Sequence, residues 1–192
     1  MMTQLRISII LLICMTFLTG VIYPVVVTVI AQSVFPHQAN GSILTMDSKA
    51  VGSKLIGQSF SRPDYFWGRL SATAPFPYNA AASSGSNYGP MHPDLTKNAE
   101  ARIASLKQHD TEVTTIPVDL VTTSASGLDS QISPAAAEVQ VRRVASARKI
   151  SEDEVRVLVR RHTAVRQFGL LGEPGVNVLQ LNLALDRLAR GE

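Results

Sequence analysis

The sequence predicts a mixed α/β soluble domain anchored by a single N-terminal transmembrane helix. Three observations carry that expectation. Residues 7–35 contain no Asp, Glu, Lys or Arg, and after Arg6 the next such residue is Asp47. No second apolar run of that length follows. The polar remainder alternates short β-type runs with segments that bear helix-capping signatures, and it has no internal repeat.

A helix rises about 1.5 Å per residue, so roughly 20 apolar residues cross the hydrocarbon core. Residues 7–35 are long enough to do so with tilt, and they exceed the 7–15 or so apolar residues of a cleaved signal sequence. Lipid attachment at Cys14 is disfavoured, because Leu11-Leu12-Ile13 lacks a small residue before the cysteine. Thr16, Gly20 and Pro24 recur every fourth residue, on one face where another helix can approach closely. Pro24 is expected to bend the helix or loosen its hydrogen bonding. Arg6 and the α-amine precede the span, whereas residues 32–46 carry no Lys or Arg. That bias puts residues 1–6 in the cytoplasm and the C-terminal domain on the extracytoplasmic side.

With 18 basic and 15 acidic residues the formal net charge is +3. No basic stripe with interleaved aromatics appears, so a nucleic-acid partner is not expected. Arg142-Arg143 and Arg148-Lys149 sit among helix formers with Glu nearby and read as solvated helix faces. The single cysteine, Cys14, lies in the span and leaves the domain without disulfides.

Residues 36–52 read as a connector, since Pro36, Asn40 and Gly41 break any period; the domain proper is residues 53–192. Residues 54–60 and 67–73 are candidate strands either side of an Arg62-Pro63-Asp64 turn. Residues 74–93 fit no regular element. Seven of the chain's eleven aromatics lie between Phe60 and Tyr88, which argues for an ordered, packed loop. Asp94 is placed to cap a helix to about Gln108, with Leu95, Ala99, Ile103 and Leu106 on one face. Residues 116–121 are a candidate strand. Ser133-Pro134 opens a helix to about Arg148, and Ser151 with Glu154 has capping-box spacing, with Ile150 and Val155 placed as a hydrophobic staple. Residues 178–188 fit both a strand alternation and a helical stripe; Asn177 as cap tips the balance to helix.

The sequence lacks a phosphate-binding lysine loop and zinc-ligand spacing, so no catalytic residue and no metal ligand is assigned. Ser146-Ala147-Arg148-Lys149 matches a Ser-x-x-Lys pattern but falls late in a predicted helix, the wrong place for a nucleophile. The four histidines are scattered. Gly85-Ser86-Asn87-Tyr88-Gly89-Pro90 and Ser124-Ala125-Ser126-Gly127 could offer N–H groups and hydroxyls to an anion, but ordinary turn chemistry is the better reading, since neither has the lysine or metal partner of a phosphate site. Tyr65, Trp67, Tyr78, Asn79, Ser86 and Asn87, in the aromatic loop of residues 65–88, are the candidate contacts for a protein partner.

Several of these segments carry a resemblance in order along nearly the whole chain. They include Leu55-Ile56-Gly57-Gln58-Ser59-Phe60, Tyr65-Phe66-Trp67-Gly68-Arg69, residues 78–90, Ser124-Ala125-Ser126-Gly127-Leu128-Asp129, Arg143-Val144-Ala145 and Val176-Asn177-Val178-Leu179. The chain resembles KdpC, the C subunit of the bacterial high-affinity potassium-transporting P-type ATPase complex. Leu70, Ser130 and Arg142 stand where that family's pattern has proline, and His92 where it has asparagine. The resemblance implies a non-catalytic, single-pass subunit of the plasma (inner) membrane, in contact with lipid. Its implied partners are an ATP-hydrolysing P-type subunit, a channel-like potassium-translocating subunit and a small membrane subunit. It further implies a catalytic chaperone that raises the hydrolytic subunit's affinity for ATP. The implied nucleotide contact falls on Ser126, Gly127 and a following glutamine, Gln140; no cofactor is covalently held. The alternative is an extracytoplasmic cap on the channel-like subunit with no nucleotide role, which agrees with the charge bias.

Overall fold

The computed structural model describes residues 2–191; Met1, whose α-amine entered the charge bias, and Glu192 lie outside the described residues. The chain divides into two compact units between Val51 and Gly52.

In the first unit, α1 (Met2–Phe17), a π-helical turn (Leu18–Ile22) and α2 (Tyr23–Val34) run on as one helix of 33 residues. It is long and apolar enough to cross a membrane. The π-helical turn sits where Pro24 was expected to disturb the ladder. A proline at 24 has no N–H for the Gly20 carbonyl and crowds it with its ring. Widening the turn relieves both, and the Tyr23 N–H donates to the Leu18 carbonyl instead. Thr19 Oγ1 also donates back to Met15 O at 2.7 Å. Gly20 has no neighbour within 4 Å of a notional Cβ, so its face is open.

Residues 36–52 are more ordered than the sequence suggested. They form α3 (Pro36–Ala39), β1 (Ile43–Met46) and β2 (Lys49–Ser53), the two strands paired in a hairpin. Asp47 and Ser48 join them with φ of 50° and 62°, the mirror-turn geometry that matches strand twist.

The second unit contains α4 (Pro93–His109), α5 (Val118–Val121), β3 (Gln131–Ile132), α6 (Pro134–Arg148), α7 (Glu152–Arg161), β4 (Thr163–Ala164), β5 (Gly175–Asn177) and α8 (Val178–Arg190). Its sheet has the order β3-β5-β4, antiparallel throughout, with Val176 opposite both Ile132 and Thr163. The core is built by Val141 and Val144 of α6, Val155 and Val159 of α7, and Leu181 and Leu185 of α8. Phe66, Leu120, Ile132 and Val176 complete it.

Local signals fixed the helix starts. Ser133 caps α6 by accepting from Ala136 N, and Pro134 follows at the first position. Ser151 and Glu154 form the reciprocal capping box of α7, with Ile150 packed on the core beside buried Val155. Asn177 caps α8, so the alternating leucines belong to a helix. The cap of α4 is His92, two residues earlier than Asp94: its Nδ1 accepts from Asp94 N at 3.2 Å. An imidazole acceptor thus takes the role of the asparagine expected there.

Three expected strands are not strands. Residues 116–121 hold the short helix α5, started by Pro117. Residues 54–60 and 67–73 are irregular, apart from a bridge from Leu70 to Thr123. Their backbone groups find partners in side-chain amides and loop carbonyls rather than in each other, as described below.

His162 ends α7 half-buried, and burial, then Arg187 and Arg161, lower its pKa from 6.5. The fold therefore favours neutral His162. Its contribution is complete above the unfolded value of 6.5 and is lost as pH falls through the lower folded value. The melting temperature should fall on acidification below about pH 6.5, and His162→Gln should flatten that part of the profile. Parallel profiles for the two proteins would exclude His162 as the source.

Candidate functional site

Residues 65–68 run through the second unit as an extended segment gripped by two helices. Asn182 of α8 treats Phe66 as a strand partner would: its Oδ1 accepts from Phe66 N at 2.8 Å and its Nδ2 donates to Phe66 O at 3.0 Å. Gln140 of α6 does the same for Trp67, accepting from its N at 2.8 Å and donating to its O at 3.2 Å. Both amides are 1% exposed. Buried backbone groups need partners, and here two primary amides supply the ladder that no strand provides.

Arginines surround this segment. Arg143 lies over the Trp67 ring at 4.3 Å and Arg102 lies over it at 4.9 Å, while His109 meets the ring edge-on. Arg143 donates to Pro63 O, Tyr65 O and Gln140 Oε1. Burial, with Arg102 nearby, pushes its pKa down to about 10, so it stays charged at neutral pH. Arg148 covers the Tyr65 ring, donates to Asp64 O and pairs with Asp186, which also accepts from the Tyr65 hydroxyl. Arg143 is 4% exposed and the Arg148 side chain 10%. Neither lies on a solvated helix face: guanidinium groups can be buried where carbonyls and aromatic faces replace water.

The loops on both sides of this segment interlock with residues 122–130. Ser84 N and Ser83 Oγ both donate to Ser126 O, Ser71 Oγ donates to Gly127 O, and Gly57 N donates to Leu128 O. Ser86 Oγ and Thr123 Oγ1 share a hydrogen bond of 2.7 Å. Arg69 ties the two sides by pairing with Asp129 and donating to Thr123 O. The approach leaves no room for side chains at Gly127, where φ is 67° and a Cβ would sit 2.6 Å from Ser84 O. Residues 74–92 are thus an ordered loop, as expected, and Pro93 already opens α4.

The candidate contact residues fall into two groups. Trp67 is 2% exposed and its indole N–H donates to Arg62 O, so it belongs to the domain's own core. The Tyr78 ring packs where Gly57 and Gly68 make space, and its hydroxyl donates to Arg69 O at 2.5 Å. Burial pushes its pKa up to about 12. Tyr65 is half-buried among arginines. Their aromatic surface is spent inside the fold, which leaves little for a partner. Asn79 bonds within its own turn, through Ala74 O and Ala81 N. Ser86 faces Thr123, and Asn87 is exposed with φ of 51°. This edge of the loop is the part open to a partner.

The residues implied for nucleotide contact are not alike. Ser126 and Ser124 line a shallow cleft with Leu55, Ile56, Arg69 and Asp129. Gln140 is committed elsewhere, with both amide lone-pair sites and both N–H groups engaged by Trp67, Arg143 and Ala136. A phosphate or base could reach it only by dismantling the grip on Trp67. Among the described residues no three of His, Cys, Asp and Glu are placed to hold a metal ion.

Sequence reasoning missed Asn182, Arg102 and the structural roles of Arg143 and Arg148. A signal existed for two of them. Asn182 falls between Leu181 and Leu185 on the inward stripe of α8, and Arg143 falls beside Val144 and Ala145 in α6. Polar residues on an apolar face are buried with partners when they are buried at all.

The family model described as KdpC: K+-transporting ATPase, c chain, matches residues 5–187. The chain is 58% identical over 187 residues to a protein of Burkholderia ambifaria called potassium-transporting ATPase KdpC subunit, covering 97% of each. A protein of that description from Herpetosiphon aurantiacus is 59% identical over 189 residues, covering 98% of each. Another, from Burkholderia vietnamiensis, is 56% identical over 192 residues and covers all of both chains.

Two substitutions test the reading of this region. Gln140→Leu strands the Trp67 N–H and carbonyl and should cost about 3 kcal/mol in chemical denaturation, as unpaired buried groups do. Tyr78→Ala should cost about 3 kcal/mol through the lost ring. Complex assembly should then fail only in step with unfolding. An assembly defect in a Tyr78→Ala protein of unchanged stability would make Tyr78 a contact residue after all.

Proposed function

The chain belongs to the KdpC family of K+-transporting ATPase subunits, and on that premise we propose that it stabilises the assembled pump from the extracytoplasmic side. It is a non-catalytic subunit of that complex, with other Kdp subunits as its partners. In this reading the N-terminal helix packs among the pump's membrane helices through the open face of Thr16, Gly20 and Pro24, where small residues permit close approach. The domain sits outside, against the channel-like potassium-translocating subunit, with Asn79, Ser86 and Asn87 at the contact. The small membrane subunit and lipid complete the surroundings of the helix.

The saturated side chain of Gln140 is the observation that carries this choice over direct nucleotide binding. A gain in ATP affinity of the hydrolytic subunit is then transmitted through subunit contacts, as a linkage effect, without ATP touching this chain. The charge bias around the span supports the same side of the membrane, since the domain outside does not meet cytoplasmic ATP.

Reporters active in only one compartment, fused after residue 192, should respond outside the cytoplasm. Activity of the cytoplasmic reporter alone would overturn the topology. The purified protein, free of its partners, should neither hydrolyse ATP nor bind nucleotide measurably. Saturable nucleotide binding by this chain alone, abolished by Ser126→Ala with no loss of stability, would return the site to Ser126 and Gly127.

A further inference from the structure

His92 holds the start of α4 by a hydrogen bond that depends on its charge. Its ring Nδ1 accepts from Asp94 N at 3.2 Å and so caps the helix. Only a neutral imidazole has a lone pair at that nitrogen, with its proton on Nε2. Protonation turns the acceptor into a donor facing a donor, and the cap is lost.

The same neighbour offers the charged ring a partner. Asp94 Oδ2 lies 3.9 Å from His92 Nδ1, against 3.2 Å for the Asp94 N–H. As an acceptor Nδ1 meets the N–H; as a donor it meets the carboxylate. The other titratable group against the imidazole is Tyr88, whose ring stacks on it at 4.4 Å with 19° between the planes. A tyrosine face takes either charge state and favours a cation above it. The positive end of the α4 dipole opposes the charged form at the cap. Two arrangements therefore compete at one residue, and the proton decides between them.

His92 is also the tie between residues 87–91 and the helix. Its backbone N donates to Gly89 O at 3.0 Å, Leu95 N donates to its carbonyl at 3.1 Å, and its ring carries Tyr88. The strip itself packs against little: Asn87 is exposed, Met91 is 94% exposed, and a notional Cβ at Gly89 meets nothing within 4 Å. Segments with few buried contacts are the first to open locally, so a single anchor governs their order. We propose that His92 is a pH-operated clasp that holds the Asn87 edge against α4 when neutral and frees it when charged. The inference deepens, and rests on, the reading of Asn87 as a partner contact: the pH around the domain then sets how well ordered that contact is.

Hydrogen exchange on the purified full-length chain, corrected for the intrinsic effect of pH, tests the clasp. Measurements at about pH 5 and pH 8 span the range in which histidines change charge. Peptides covering residues 86–97 should exchange about fivefold faster at the lower pH, relative to peptides of α6, as loss of a helix cap implies. His92→Asn supplies an amide oxygen that caps without titrating, and it should abolish the difference. Asp94→Asn removes the charged ring's partner and should move the midpoint of the change to lower pH. Equal exchange at both pH values in the natural chain, or an acid-induced rise that His92→Asn retains, overturns the clasp. A midpoint that Asp94→Asn leaves in place overturns the competition between two arrangements. A photo-crosslinking residue at Asn87 in the assembled complex tests the contact separately. If exchange behaves as expected but Asn87 crosslinks to no other subunit at either pH, the contact reading has failed and the clasp stands.

Discussion

Two buried primary amides hold this domain together at the point where a strand would be expected. Asn182 and Gln140 pair with consecutive residues, Phe66 and Trp67, and so fix the extended segment between α6 and α8. Everything after that segment in the loop lobe depends on its position. Arg143 shares Gln140 Oε1 and stacks on Trp67; Arg102 reaches Gly68 O from α4; Tyr78 packs beneath the same stretch through Arg69 O. Amides suit this role because each carries a donor and an acceptor in one plane, the same complement as a peptide unit.

The arrangement explains how a domain with a sheet of only seven residues keeps long loops ordered. Loop backbone groups away from water need partners, and here serine hydroxyls, carbonyls and guanidinium groups provide them. Desolvating Arg143 and Arg102 is costly, as the lowered pKa of both indicates. Aromatic faces and carbonyl oxygens offset that cost. The result is a lobe with Phe66, Trp67 and the Tyr78 ring turned inward, while Phe76 stays exposed. Outside, the surface is polar at Asn87 and apolar at Phe76, Met91 and Phe168.

The membrane helix obeys a different constraint. In hydrocarbon, every backbone group must be satisfied within the helix or by a neighbouring side chain. Pro24 removes one donor, and the π-helical turn redistributes the bonds around the gap, with Tyr23 N–H reaching five residues back to Leu18. Thr19 Oγ1 bonding to Met15 O satisfies its own hydroxyl in the same stretch. The face of Gly20 stays uncovered, consistent with a helix that functions among others.

The sequence alone determined the features that short-range chemistry controls. The charge-free run demanded a spanning helix, and the Ser-Pro, Ser-x-x-Glu and Asn signals placed the starts of α6, α7 and α8. Such effects act over one turn of chain, so the local residues suffice to decide them. Only the tertiary structure decided the rest. β-type runs at residues 54–60 and 67–73 became irregular because groups remote in the chain took hydrogen bonds of theirs: Asn177 at Lys54 O, the Leu128 carbonyl at Gly57 N, and Gln140 at Trp67. Trp67 and Tyr78 turned from candidate contacts into core, and Arg143 and Arg148 from surface into buried supports, for the same reason. Whether a polar group is exposed or buried depends on the partners brought to it, and those partners are chosen by folding rather than by sequence neighbours.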